Sequence, residues 1–391
     1  MTRHGSCGWL DRMFIRAVAA LAIAYTLLTA GRVYARSYYL FLPDYFRWTM
    51  TPAPPVSGPR HLFVLMTDHW EPDKDAVKAR RWADGYVALA SRHRDHDDRA
   101  PQHTWFYHGE QATPEVLAIL KDLTTRGFGE VELHYHHARD TEATMRDKLQ
   151  RAIDAFQQFG FLKTVDGRTK FAFVHGNFDL DNAIGQYCGV DSELKLLREL
   201  GCFADFSFPS VYRQSQPDIV NAIYAAKDDA APKSYAHRLP LDRLSDGSAD
   251  LMMFQGPLVF APSLNAKRLF LDLDDANIHR AMPASPERIP HWVRANVHVD
   301  GRPDWVFIKL WGHGVSSPDD EEAVIGSGFD AMLTAFEREY NDGRRYVLHY
   351  VSAREAFNLA MAAARRAQGE PQQYFDAEIP PYVASAARKV N

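Results

Sequence analysis

Along most of this chain, short apolar runs alternate with longer stretches in which apolar residues recur at helical spacing. The strand-like runs are Leu62–Met66, His103–Tyr107, Val131–His136, Phe171–Val174, Phe203–Phe208, Leu251–Phe254, Trp305–Leu310 and Tyr346–Tyr350. Helical periods cover Asp75–Arg92, Pro114–Thr125, Glu142–Phe159, Ser192–Leu200, Pro318–Tyr340 and Ala353–Ala367. Strands alternating with helices in this way predict an α/β fold, a parallel sheet covered by helices and either open or closed into a barrel. Between Gln214 and Asp300 the pattern loosens into turns, with strand-like pieces at Ile219–Ala225 and Leu269–Leu273. That segment, about 214–300, reads as an elaboration of the same body.

The first 36 residues differ in character. Arg3, Arg12 and Arg16 lead into an apolar run from Ala17 to Gly31. Adding Met13 to Ile15, with Arg16 snorkelling, brings the run near the ~20 residues that a membrane-spanning helix needs. Tyr34, Tyr38, Tyr39, Phe41, Tyr45, Phe46 and Trp48 follow, an aromatic stretch of the kind that sits at lipid headgroups. Residues 1–36 are therefore expected to be a retained signal-anchor, with the N-terminus in the cytoplasm and the body periplasmic or otherwise outside. Residues 37–59 form an aromatic and Pro-rich linker whose last part, Thr51–Pro59, is too proline-rich for helix or central strand. The body is expected over 60–370 and a tail over 371–391.

Composition narrows the function classes. Hydrophobic residues make up 46% of the 391 and charged ones 24%, the profile of a globular chain with a large core. A net charge of -5 with no basic run leaves no electrostatic footprint for nucleic acid. The three cysteines, Cys7, Cys188 and Cys202, make neither a disulfide framework nor a C-x-x-C site, and Cys188 and Cys202 read as small buried hydrophobes. Nothing in the composition speaks to oligomeric state.

The candidate chemistry lies where strands end. Asp68 and His69, His108 and Glu110, His134 and His136, His175 and Asn177, Asp205 and Ser207, Gln255 and His313 all fall at or near the C-terminal ends of predicted strands. In β/α barrels that end builds the active site. Within V-E-L-H-Y-H-H-A-R-D, Val131, Leu133 and Tyr135 share one face of an extended segment, while Glu132, His134 and His136 share the other. Two imidazoles facing one way suit a zinc-type divalent metal, whose hydrolytic sites take three protein ligands and keep one position for water. The third ligand is sought at the first strand end, among Asp68, His69 and Glu71. The ligand-rich stretch Ser91–Arg99 mixes charge signs densely and reads as a solvated helix end and loop. Asp272–Asn277 lacks the glycine and glutamate of a calcium loop, and no phosphate-binding, dinucleotide-binding or nucleophile-elbow motif occurs.

Taken in order, T-D-H at the first strand end, the histidine cluster at the third, F-V-H-G-N, F-S-F-P-S and I-K-L-W-G-H-G resemble the polysaccharide deacetylase family, in its divergent bacterial members associated with exopolysaccharides. The likeness runs from about Arg60 to about Ala367. It implies a distorted (β/α) barrel, a divalent metal, and removal of N-acetyl groups from a polysaccharide or glycan. On the family's pattern Asp68 stands at the position of the general base and His69 at that of a metal ligand. His134 and His136 complete the ligand set, with His137 as substitute, and His313 is the acid. Glu71, His137, His175, Asn177 and Asp205 are expected to bind substrate or support the ligands. Two other readings stand beside this one: a glycoside hydrolase on a related barrel using Glu71 and Asp205, and a membrane-tethered glycan-binding protein without activity.

Overall fold

The computed structural model describes residues 7–262 and 271–386. Its centre is a ten-stranded, mostly parallel sheet. The strands are β1 (Arg60–Trp70), β2 (His103–His108), β3 (Gly129–Tyr135), β4 (Phe171–His175), β5 (Cys202–Asp205), β6 (Ala222–Ala226), β7 (Leu251–Gln255), β8 (Val259–Pro262), β9 (Leu271–Asp274), β10 (Asn277–Ile278), β11 (Trp305–Gly312) and β12 (Tyr346–Tyr350). The sheet runs β10-β11-β1-β2-β3-β4-β5-β7-β6, with β12 also paired to β1, and β8 and β9 form a separate antiparallel pair. β6 lies antiparallel to β7 at one edge, and among the described residues no pairing joins it back to β10. Each of the eight strand-like runs read from the sequence contains a strand, although β5 ends at Asp205, short of Phe208, and β3 at Tyr135, short of His136. Of Leu269–Leu273, residues 269 and 270 lie outside the described residues and the rest belong to β9.

β1 shows how the chain sorts its faces. Leu62, Val64, Met66 and Trp70 point to the outer layer, against Trp82 and Tyr86 of the helix Ala76–Ala90. Phe63 and Leu65 point the other way, into a second core with Ala353, Ala356 and Leu359. Those three belong to the helix Ala353–Ala364, in which every residue from Ala353 to Ala363 is buried. A mostly apolar helix with no exposed face belongs inside a core, and its alanines let strands approach closely. Its two charges are paired: Glu355 meets Arg99 at 2.7 Å, and Arg354 is neutralised by Glu130 of β3, with Arg354 Nη2 3.0 Å from Glu130 Oε1. The helix is capped by Ser352 and begins beside the N-terminal ends of β2 and β3: Ala353 N–H donates to Thr104 Oγ1 at 2.9 Å. It thus fills the end of the sheet opposite the histidines.

The N-terminal helix Cys7–Ala35 contains a span, Met13–Ala35, long and apolar enough to cross a membrane; that span is almost entirely exposed, and near its end Val33 packs on the body. The next stretch departs from a simple linker. Residues Leu42–Met50 are helical, and Tyr38, Phe41 and Tyr45 are buried against Val211, Val220, Leu258 and Leu273. Asp44 accepts the Val220 N–H at 3.0 Å and the Tyr45 hydroxyl accepts the Phe260 N–H at 2.9 Å. Of the seven aromatics expected at headgroups, Tyr38, Phe41 and Tyr45 are therefore docking residues and Trp48 packs partly buried beside them. Tyr34, Tyr39 and Phe46 remain exposed. The solvated loop expected at Ser91–Arg99 is likewise partly buried, since Asp95 accepts the Tyr350 N–H at 2.8 Å and His93 is 3% exposed.

Candidate metal centre

On β3 the alternation expected from sequence is present: Val131, Leu133 and Tyr135 enter the outer core. The opposite face presents Glu130, Glu132 and His134 in succession. The first two are spent on structure, Glu130 on Arg354 and Glu132 on the Tyr382 hydroxyl at 2.7 Å and the Ala172 N–H at 2.6 Å. His134, at the strand's end, is the one that reaches the histidine cluster.

His134 is fully buried, and its Nδ1 lies 2.9 Å from the Val174 carbonyl, to which it donates. That bond turns Nε2 to the cluster, where it can either share a proton with a carboxylate or, as in a ligating histidine, offer its lone pair to a metal. Nε2 faces Glu71 Oε1 at 2.9 Å. Two lone pairs at that distance repel unless a cation, proton or metal, lies between them. The His69 ring completes the group, its centroid 4.9 Å from that of His134, and donor atoms of His69, Glu71 and His134 all fall within 4.8 Å of one another. Burial raises the Glu71 carboxyl, but the hydrogen bond and charge of His134 outweigh it and bring it down to about 2. Burial, reinforced by His313 and His134, holds His69 well below the ordinary imidazole range, as a neutral ligand requires.

His136 belongs to an adjoining group. Its Nδ1 is 2.6 Å from Glu110 Oε1 and its Nε2 is 3.6 Å from Glu71 Oε1. Burial pulls His136 down, yet the bond to Glu110 reverses this and the net shift is upward. A second imidazole, His108, joins Glu110 and His136 to make a further potential ligand set. Gly176 explains how the His136 ring fits: a Cβ there would collide with the ring carbons and Nε2, so the glycine of F-V-H-G-N is a close-approach residue. Neither His108 nor Glu110 stood out in the sequence beyond its place at a strand end.

The two residues expected to be base and acid stand differently. Asp68 shares the strand face of Met66 and Trp70 and points to the outer layer, away from His69. It is fully buried; Oδ1 accepts the Gly314 N–H at 2.7 Å and Oδ2 is 3.1 Å from His103 Nε2. His313 stands next to the site, its ring 4.8 Å from that of His69, and burial pulls it below the ordinary imidazole range despite Glu71 and Asp68 nearby. Asp205 is also fully buried. It accepts the Ser207 N–H at 2.9 Å and hydroxyl at 2.8 Å, and the same hydroxyl oxygen accepts the His175 N–H at 2.9 Å. His137 and His175 are buried away from solvent, and the Asn177 side-chain amide donates to the His137 carbonyl at 2.7 Å. Compared with known protein families and with curated proteins, the chain matches none.

Proposed function

We propose that this protein is a metal-dependent hydrolase that removes N-acetyl or related acyl groups from a polysaccharide or glycan, on a barrel-like α/β body tethered to a membrane. The observation that carries the reading is the buried facing pair, His134 Nε2 and Glu71 Oε1, with the other nitrogen of His134 already committed to a backbone carbonyl. His69, Glu71 and His134 hold the metal, a His/carboxylate set of the kind that suits zinc and leaves a position for water. Bound there, the metal supplies acidification of a water and polarisation of the acyl carbonyl. The flanking imidazoles divide the proton work. His136, ion-paired to Glu110, carries a proton to the leaving amine, and neutral His313 on the far side of His69 accepts the proton of the attacking water. Asp68 positions His313 through the Gly314 N–H. The motif resemblance supplies the substrate class and the link to exopolysaccharide or cell-envelope metabolism.

A glycosidase pair of Glu71 and Asp205 is not favoured, because both oxygens of Asp205 are already engaged by Ser207. The test is acetate release from N-acetylated glycan oligomers by the purified full chain, before and after treatment with a chelator and after zinc is restored. Chelator-sensitive release restored by zinc supports the reading. Glycosidic cleavage without acetate, or binding without turnover in the zinc-restored protein, defeats it.

A further inference from the structure

Behind the first histidine cluster lies another group of ligand-type side chains. His137 follows β3, His175 ends β4, Cys188 sits in the connection after β4, and Glu193 opens the helix Glu193–Leu200. His175, Cys188 and Glu193 have no exposed surface, His137 is 3% exposed, and their donor atoms all lie within 4.8 Å of one another. Glu193 is the hub: Oε1 is 3.3 Å from His137 Nε2 and 3.8 Å from His175 Nε2, and Oε2 is 3.1 Å from Cys188 Sγ.

We infer that these four residues form a second, closed metal site of structural type, with zinc as the ion. Zinc bonds of about 2.0–2.1 Å to nitrogen and oxygen place tetrahedral ligands about 3.3–3.4 Å apart, with sulfur somewhat farther. The spacings around Glu193 already bracket that edge. The donor set of two imidazoles, one thiolate and one carboxylate is borderline-soft and four-fold, which selects zinc over magnesium or calcium. His175 Nε2 is buried with no hydrogen-bond partner although it is aimed at Glu193, an expensive state that a metal bond removes. His137 Nδ1 likewise has no hydrogen-bond partner, but it stands 3.3 Å from Asp140 Oδ2, and Asp140 is itself held by Lys148 Nζ at 2.7 Å, so a carboxylate is in place to back the ring once a metal orients it. Loading releases the Cys188 thiol proton to solvent, and His137 gives up the Nε2 proton it directs at Glu193 Oε1, keeping one on Nδ1 toward Asp140. The His175 proton moves from Nε2 to Nδ1, and the 3.2 Å contact from the Asn177 N–H to Nδ1 gives way. With four protein ligands and no open position, the site does no chemistry; it pins the connection between β4 and the helix Glu193–Leu200 beneath His134 and His136.

The experiment uses the full chain, stripped with chelator and reloaded with cobalt(II). Cys188 is the only cysteine in any of the candidate metal groups among the described residues, so a near-ultraviolet thiolate-to-cobalt band reports this site alone. The expected result is a band in the unsubstituted chain and in the Cys7→Ala/Cys202→Ala double variant, whose sole thiol is Cys188, and loss of the band with one metal equivalent in Cys188→Ala. His134→Ala, which empties the other site, should leave the band in place, so failure of the hydrolase reading and failure of this one are separable. Absence of the band from the cobalt-treated double variant overturns the inference even if Cys188→Ala does not fold, and so does a band that survives Cys188→Ala.

Discussion

Gly314 donates its backbone N–H to Asp68 across 2.7 Å, and a Cβ on Gly314 would lie 2.5 Å from the other carboxylate oxygen. The turn that carries His313 is thereby fixed to the end of β1 by a charge-assisted bond that only a glycine can approach. Asp68→Ala strands a buried N–H and the His103 ring, so a loss of about 1–3 kcal/mol in urea unfolding is expected, with activity reduced through His313 and metal content unchanged. Metal loss from a variant of undiminished stability would instead place Asp68 among the ligands.

The ligand set makes a separable prediction. His69→Ala, Glu71→Gln and His134→Ala should each lower occupancy of this site by more than about tenfold, which removes one zinc equivalent and leaves the one held by the His137 and Cys188 group, whereas Glu110→Gln should keep the metal and lose turnover by roughly 10²-fold. Elemental analysis alongside acetate release reads both. If Glu110→Gln strips the metal and Glu71→Gln does not, the ion belongs to the His108, Glu110 and His136 group.

Arg354 lies in a fully enclosed pocket and pairs with Glu130 through both Nε and Nη2, while Nη1 donates to the Ile379 carbonyl at 2.7 Å. Arg354→Ala abandons a buried carboxylate, which costs about 3–5 kcal/mol in comparable cases. Chemical denaturation should show that loss; a change within measurement error would mean that water or rearrangement satisfies Glu130.

His93 gives the fold a pH dependence. Burial alone would lower it, but Glu337 and Asp330 accept from its two nitrogens, 3.1 Å and 3.0 Å away, and the net shift is upward. A raised folded value means stability that is fully present below the ordinary imidazole value near 6.5 and is lost as pH rises through the folded value. The difference in stability between the unsubstituted chain and His93→Gln should therefore be largest in mild acid and shrink above neutrality. A difference that grows with pH would contradict the assignment.

Removal of the N-terminus should depend on where the cut is made. A chain starting at Ser37 keeps Tyr38, Phe41 and Tyr45 on their patch, while one starting at Arg60 exposes Val211, Val220, Leu258 and Leu273. At about 1.5–3 kcal/mol for each large side chain fully buried, the shorter chain should melt lower and self-associate more readily. Identical melting of the two would show that the docking contributes nothing.

The sequence by itself determined the alternation of strands and helices, because hydrophobic period is a local property that each segment carries alone. It also determined that His134 leaves β3 on the face opposite Val131, Leu133 and Tyr135, since that follows from the two-residue repeat of a strand. The helix Ala353–Ala364 was legible as a helix, but its place inside the sheet depended on Glu130 being available for Arg354 more than two hundred residues away. Which carboxylate meets His134 was settled in the same way. Asp68 and Glu71 are three positions apart at one strand end, yet the twist and register of β1 against β2 and β11 turn the first outward to Gly314 and His103 and leave the second facing the histidines. Cys188 and Glu193, read from sequence as a core residue and part of a helix start, meet His137 and His175 only because β3 and β4 lie side by side in parallel and end together. Spacing along the chain holds no record of such meetings; they are made by strand pairing between distant segments.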